Sequence, residues 1–192
     1  MEDEKIKDKG NLFGMDIFIE QLVKKKLKGI DYVKMFSIVF CSILLFLIGG
    51  YLLIGFLGPM GMSLTFFLLV GLIFLDWWLI TRMKIEFEYS VTNGDITIDQ
   101  ITARRSRKRM ISFSAKDVEV FKKYQPDQYV NRTFDKELFV DSNNEADEYW
   151  CMELVHKSLG RTLVIFTPSE YILKAIKPFL RKQVSFEAFG RK

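Results

Sequence analysis

The sequence predicts a membrane α-helical hairpin joined to an α+β domain, in which a small antiparallel β-barrel or curved sheet is closed by a C-terminal helix. Three observations support this fold class: an uncharged run of 41 residues (35–75), alternating polar and apolar residues after it, and an amphipathic pattern near the chain end. The chain has 192 residues, 49% hydrophobic and 27% charged, with a net charge of +4. The long run and this composition exclude fully soluble, collagenous, disordered and disulfide-rich proteins.

The uncharged run is too long for one membrane span. As a single helix it would measure roughly 60 Å, twice the hydrocarbon core of about 30 Å. Gly58-Pro59-Met60-Gly61 offers a turn, because proline lacks a donor and glycine is permissive. We therefore predict a transmembrane hairpin over residues 35–81, with helices at 35–57 and 62–80.

Basic residues flank the run on both sides and predict its orientation. Five lysines precede it (Lys24, Lys25, Lys26, Lys28 and Lys34), Arg82 and Lys84 follow it, and the turn has no charge. The positive-inside rule then predicts a multi-pass protein of the plasma membrane with both termini in the cytoplasm. Trp77 and Trp78 are typical of the interfacial aromatic belt.

Asp76 is the acidic residue that ends the uncharged run. Intramembrane acids often mark ion pathways, which is one interpretation. The other is a shallow, solvated carboxylate near Lys34 or Arg82, since Asp76 lies six residues before Arg82.

Residues 1–34 are predicted to form a cytoplasmic segment with a basic amphipathic helix over residues 15–28. Phe18, Leu22 and Leu27 recur at helical spacing beside a cluster of lysines. Such a helix either lies in the headgroup region, with lipid contacts from Lys24, Lys25, Lys26 and Lys28, or docks on a protein.

Residues 82–192 are predicted to form one cytoplasmic domain. Ile85 to Val91 alternate with polar residues, and Asn93-Gly94 supplies a type I′ turn to a second strand. Further strands are expected at residues 110–114, 118–123, 149–156 and 162–167. A final helix should begin with Thr167 as its cap and Pro168 at its first position, and should bend at Pro178.

Three segments carry a resemblance to a known family. They are residues 15–26 (MDIFIEQLVKKK), 87–96 (FEYSVTNGDI) and 166–170 (FTPSE). The chain resembles a bacterial family, without an assigned activity, of two-span membrane proteins with a cytoplasmic pleckstrin-homology-like (PH-like) domain. Eukaryotic PH domains bind inositide headgroups through their first strand–strand loop. In this sequence that loop is expected to be the tight Asn93-Gly94 turn, which has no room or charge for such a headgroup, so specific inositide binding is not expected.

The most basic segment holds five cations in six residues: Arg104, Arg105, Arg107, Lys108 and Arg109. It is expected to connect two strands about 22 residues after the second span. The nearest polyanion there is the inner leaflet, so we predict contact with anionic lipid and no nucleic-acid partner. The alternatives are a solvated turn or a protein-docking site.

Residues 135–148 are the acidic counterpart, with six acids against one base. Together with residues 125–132 they form an insertion that is long for a compact domain. It is interpreted either as a partner-binding loop or as a strand or short helix that covers the sheet.

Enzyme signatures are missing from the sequence. It has one histidine, His156, and no phosphate loop, nucleophile elbow or paired-histidine motif. We therefore predict no catalytic, metal or cofactor residues and no cofactor. The predicted function is a non-enzymatic, membrane-anchored binding or adaptor module that recruits a protein partner or contacts anionic lipid. The alternative is a structural subunit of a larger membrane complex, packed against other spans through Gly49, Gly50, Gly71 and Cys41.

Overall fold

The computed structural model describes residues 17–190 and the backbone of Lys7–Asp8. The chain divides into two compact units, residues 27–84 (the helical unit) and residues 1–26 with 85–192 (the β unit). The helical unit is thus inserted into the sequence of the β unit.

Two long helices form the helical unit. Helix α1 spans Gly29–Leu57 and α2 spans Pro59–Arg82. The break between them is the single residue Gly58, at φ +57°, and Pro59 occupies the first position of α2. The predicted reversal at Gly58-Pro59 is confirmed, whereas both helices extend beyond the predicted bounds. They are long and apolar enough to cross a membrane.

The described residues of the β unit form two sheets. The first has the order β1-β2-β3-β4-β5, and its strands are Lys7–Asp8, Phe18–Lys24, Ile85–Thr92, Asp95–Thr102 and Ser106–Ser114. The second has the order β6-β8-β9-β7, and its strands are Val118–Lys123, Lys136–Phe139 (β7), Trp150–His156 (β8) and Gly160–Phe166 (β9). All pairings are antiparallel except β7 with β9.

Residues 18–24 form strand β2, so the predicted amphipathic helix is wrong for the described residues 17–28. An apolar spacing of four residues, as between Phe18 and Leu22 or between Ile19 and Val23, also satisfies the two-residue period of a strand. Gln21 and Val23 turn into the core, and β2 pairs along its whole length with β3, from Phe18↔Thr92 to Lys24↔Glu86. Backbone pairing with β3 therefore decides the conformation.

Strand β2 also changes which segment is the first connection between long paired strands. Since β2 comes before β3 in the chain and pairs with it, the helical unit, and not the Asn93-Gly94 turn, is that first connection. The Asn93-Gly94 turn is the next connection. Its positive φ values, 50° and 89°, confirm the type I′ prediction.

One core lies between the two sheets and the C-terminal helices. Tyr89, Phe121 and Phe166 are almost fully buried there, with Tyr89 and Phe121 each within 6.2 Å of the Phe166 ring. The Phe189 ring contacts Phe121 and Trp150 at 5.8 and 5.7 Å. The end of the chain therefore completes this core.

The C-terminal helix is divided at Pro178, as predicted. Helix α3 spans Glu170–Ile176, a 3₁₀ turn covers Lys177–Phe179, and α4 spans Lys182–Phe189. The predicted cap is wrong: the Ser169 hydroxyl caps α3 by accepting from the Ile172 amide. The Thr167 hydroxyl instead accepts a hydrogen bond from the Ser142 amide at 3.0 Å.

Candidate functional site

One end of the first sheet gathers most of the predicted basic site residues. Lys24 pairs with Glu86, Glu86 with Ile101, and Ile101 with Arg107, so these residues cross four strands at one level. At this end β2 leads into the helical unit and β3 returns from it. We call it the junction end of the sheet.

The basic segment forms the turn from β4 to β5 at the junction end. Ala103 and Arg104 have φ values of 55° and 56°, and the Arg105 amide donates to the Thr102 carbonyl at 3.1 Å. Arg107, Lys108 and Arg109 lie on β5 itself, which starts earlier than the sequence predicted. Left-handed backbone at two successive non-glycine residues is strained.

Three arginines of this segment lie against carboxylates on the neighbouring strands. The pairs are Arg104–Glu86 at 3.4 Å, Arg107–Glu88 at 2.5 Å and Arg109–Asp99 at 3.3 Å. The carboxylates are largely buried, whereas the arginines remain more than half exposed. The carboxylates are the buried ends of these pairs and the guanidinium groups are the exposed ends, so the outer surface of the segment carries positive charge.

The environment of Glu88 disfavours the negative charge of its carboxylate. Burial raises its pKa, the Arg107 guanidinium lowers it, and the charges of Glu20 and Asp99 raise it further, with a net upward direction. Asp99 is its direct partner across the β3–β4 ladder. Arg107 therefore reduces a repulsion between two acids that face each other.

The lysines before the helical unit are divided between the two units. Lys24 ends β2, and the Lys25 amide donates to Ile85 at 3.0 Å, so both lie at the junction end. Lys28 precedes α1 in the helical unit, where its amide donates to the Asp31 carboxylate at 3.0 Å. The four lysines predicted to contact lipid before the membrane, residues 24–26 and 28, thus do not lie on one helix.

The backbone of Lys26 is hydrogen-bonded to the acidic segment, residues 135–148. Its amide donates to the Ser142 carbonyl at 2.7 Å, and its carbonyl accepts from the Asn143 side chain at 2.8 Å. The Asp147 carboxylate supports this loop by accepting from Ser142 and Asn144. Residues 142–147 therefore fasten the chain one residue before it enters the helical unit.

The other part of the insertion covers the outer face of the second sheet. Tyr129 stacks on Tyr124 at 5.4 Å, and its hydroxyl donates to the buried Glu153 carboxylate at 3.1 Å. Arg132 and Arg161 contact the same carboxylate at 2.7 and 3.7 Å. Strand β7 extends the sheet, so the covering interpretation is confirmed for this part of the insertion.

A cleft of about 820 Å³ lies between β2, the 142–148 loop and the start of α3. Gln21 on its wall is buried, accepts from the Ser169 amide at 2.7 Å and donates to the Thr167 carbonyl at 3.4 Å. We call it the β2 cleft. No local sequence pattern predicts this cleft, because its walls come from three segments that are distant in the chain.

The single histidine and the buried cysteine do not form a reactive pair. His156 contacts the Ser112 carbonyl and Ser158, whereas Cys151 contacts Tyr129. Burial raises the pKa of the Cys151 thiol, which makes it a poor nucleophile. Among the residues that the structure describes, no group of three or more His, Cys, Asp or Glu side chains could hold a metal ion.

In the helical unit, Asp76 accepts a hydrogen bond from the Ser42 hydroxyl at 2.5 Å, which links α2 to α1. Arg82 lies over the Trp78 ring at 3.7 Å, and the Trp77 ring lies 5.9 Å from that of Phe74. Asp76 therefore has a partner within the hairpin.

The two sheets and the C-terminal helices are consistent with a PH-like domain. The family model described as bacterial PH-like domain (DUF6106) matches residues 15–186, and the chain belongs to this family. The match includes β2 and the inserted helices. Searches of curated proteins and of solved structures each found no match. PH-like domains are generally non-catalytic and often bind lipids or proteins.

Proposed function

We propose that this protein is a non-enzymatic binding or adaptor module that two transmembrane helices anchor at the cytoplasmic face of the plasma membrane. The observation that carries the proposal is the insertion of an apolar hairpin between the paired strands β2 and β3. Four residues (25–28) separate β2 from α1, and two residues (83–84) separate α2 from β3. Four residues span at most about 14 Å, so both connections are short.

Lipid contact at the junction end follows from this insertion. The exposed guanidinium groups of Arg104, Arg107 and Arg109 place positive charge outside the buried carboxylates. Arg105 and Lys108 belong to the same segment, and Lys24, Lys25 and Lys26 lie at the same end of the sheet. Each basic residue near an anionic leaflet contributes about 1 kcal/mol. The leaflet contact orients the domain and leaves its remaining surface for a protein partner.

Cysteine labelling tests the anchor. In a Cys41→Ser background, where the remaining Cys151 is buried, an impermeant maleimide on intact cells should label Met60→Cys, beside the interhelical turn. It should label Lys157→Cys, on the β8–β9 turn, only after permeabilisation. Labelling of Lys157→Cys from outside would overturn the proposed cytoplasmic location.

A dye at Lys108→Cys tests the leaflet contact in the full chain reconstituted in nanodiscs. Its emission should shift to the blue when anionic lipid replaces zwitterionic lipid, and salt should reverse the shift. The matched control is Lys157→Cys, because its neighbour His156 contacts Ser112 toward the far end of β5. Equal responses at both positions would argue against a specific contact at the junction end.

A second function, a structural subunit of a membrane complex, is favoured by one observation. A Cβ at Gly49 or Gly50 would contact α2, whereas a Cβ at Gly71 would meet no described atom within 4 Å. Gly71 is therefore open to a helix of another protein. If that protein exists, Gly71→Leu should remove it from a mild-detergent purification.

A further inference from the structure

Two phenylalanine rings of the β unit are exposed among the residues that the structure describes. Phe139 on β7 is 52% exposed, and Phe186 on α4 is 72% exposed. The other described phenylalanines of this unit are buried or half-buried. Aromatic side chains are enriched at protein–protein interfaces, although a single exposed ring is common on any surface. The groups beside each ring therefore decide what can cover it.

Phe186 forms part of a groove of about 560 Å³ between the 3₁₀ turn and α4. Leu180 and Phe189 contribute apolar surface to it, and the exposed Lys177 and Lys182 line it as well. Of the described residues that line the groove, none is acidic. We call it the α4 groove. Its apolar floor and two lysines suit a surface that presents an apolar side chain beside negative charge.

The surface around Phe139 has that composition. Leu138 is buried in the core, so its neighbours Glu137 and Phe139 on β7 both face outward. In the part of the chain that the structure describes, neither Glu137 nor Lys182 belongs to an ion pair. We call Glu137 and Phe139 the β7 patch. Each copy of the chain thus carries both an acidic patch and a basic groove.

The β7 patch cannot enter the α4 groove of its own molecule. Strand β7 is one edge of the second sheet, and α4 packs at the other edge, where Phe189 contacts Phe121 of β6 at 5.8 Å. Strands β8 and β9 lie between β6 and β7, so three strand spacings, about 14 Å, separate the two edges.

We propose that the β7 patch of one copy docks in the α4 groove of a second copy. Phe139 of the first copy packs against Phe186 of the second, and Glu137 lies beside Lys177 and Lys182. Burial of the two rings supplies the apolar contribution, and the opposite charges select the partner surface. The contact joins two different surfaces of the same chain. The proposal does not depend on the proposed function.

Sedimentation equilibrium of the full chain in a mild detergent tests the charge pairing. The natural chain should self-associate, and Lys182→Glu and Glu137→Lys should each weaken this association at least about threefold, because like charges then meet. Combining the two substitutions should restore it. The controls Lys157→Glu and Glu119→Lys make the same charge changes at other exposed positions and should have no effect. A monomeric natural chain, or a combined variant as weak as the single ones, would overturn the proposal.

Crosslinking between differently tagged copies tests the geometry. In the Cys41→Ser background, where Cys151 is buried, Glu137→Cys on one copy should crosslink to Lys182→Cys on the other through a short bifunctional maleimide. Lys157→Cys in place of Lys182→Cys is the matched control and should give little product. Equal yields would overturn the proposal. A dye at Lys182→Cys that responds to anionic lipid and not to protein density would also overturn it, since the groove would then bind a leaflet.

Discussion

At the residue scale, the junction end of the first sheet depends on arginines that neutralise buried acids. Glu88 faces Asp99 across the ladder and bonds to Arg107 at 2.5 Å. Its raised pKa shows that burial and the neighbouring acids outweigh the arginine. The composition of residues 104–109 indicated a free basic patch, because the sequence does not reveal which acids lie across the ladder.

We expect Glu88→Gln to stabilise the β unit at neutral pH. A raised pKa means that the folded state binds the proton more tightly, so the contribution of Glu88 to stability falls as pH rises above its ordinary pKa of 4.5. Allowing for solvent screening, the gain should be below about 1 kcal/mol and should vanish in acid.

Thermal unfolding of the full chain in detergent from pH 4 to 8 measures this effect. The control is Glu170→Gln, which removes an exposed carboxylate paired with Lys174. A loss of stability for Glu88→Gln that grows with pH would contradict the expectation.

At the element scale, two glycines allow a short connection between α1 and α2, one through its backbone conformation and the other through close packing of the helices. Gly58 adopts a positive φ, and a Cβ at Gly61 would lie 2.2 Å from the Leu53 carbonyl oxygen. Proline and glycine in the sequence predict the turn. They do not reveal that Gly61 packs against the backbone of α1, because that contact depends on how the two helices approach each other.

Gly61→Ala should destabilise the helical unit. The added methyl group meets backbone rather than a flexible side chain, so the helices must separate, at a cost of about 1–3 kcal/mol. The matched control is Gly71→Ala, which adds the same group where no described atom lies within 4 Å. Unfolding of the full chain in mixed micelles measures both, and equal stability of the two variants would contradict this account.

At the scale of the whole molecule, the domain is discontinuous in sequence. Residues 82–192, the predicted domain, lack β2, which supplies the buried Val23 and Gln21 and is hydrogen-bonded along β3. Lys25 and Ile85 are joined by a backbone hydrogen bond. A two-residue turn can therefore replace the helical unit.

A chain of residues 1–25, Asn-Gly and residues 85–192 should fold as a soluble domain with a cooperative thermal transition. Residues 82–192 alone should not, because burial of one apolar side chain such as Val23 stabilises by roughly 1.5–3 kcal/mol and the edge of β3 becomes unpaired. Circular dichroism melting and amide NMR dispersion compare the two. Cooperative melting of residues 82–192 alone would contradict the role assigned to β2.

The sequence by itself determined the features whose signal is local. The apolar hairpin with its Gly58-Pro59 turn, the Asn93-Gly94 turn, strand β6 and the break at Pro178 depend on neighbouring residues and on fixed backbone geometry. Tertiary structure alone decided that residues 18–24 form a strand, that arginines pair with Glu86, Glu88 and Asp99, and that residues 142–147 hold Lys26. These features join residues far apart in the chain, and a local pattern contains no information about such partners.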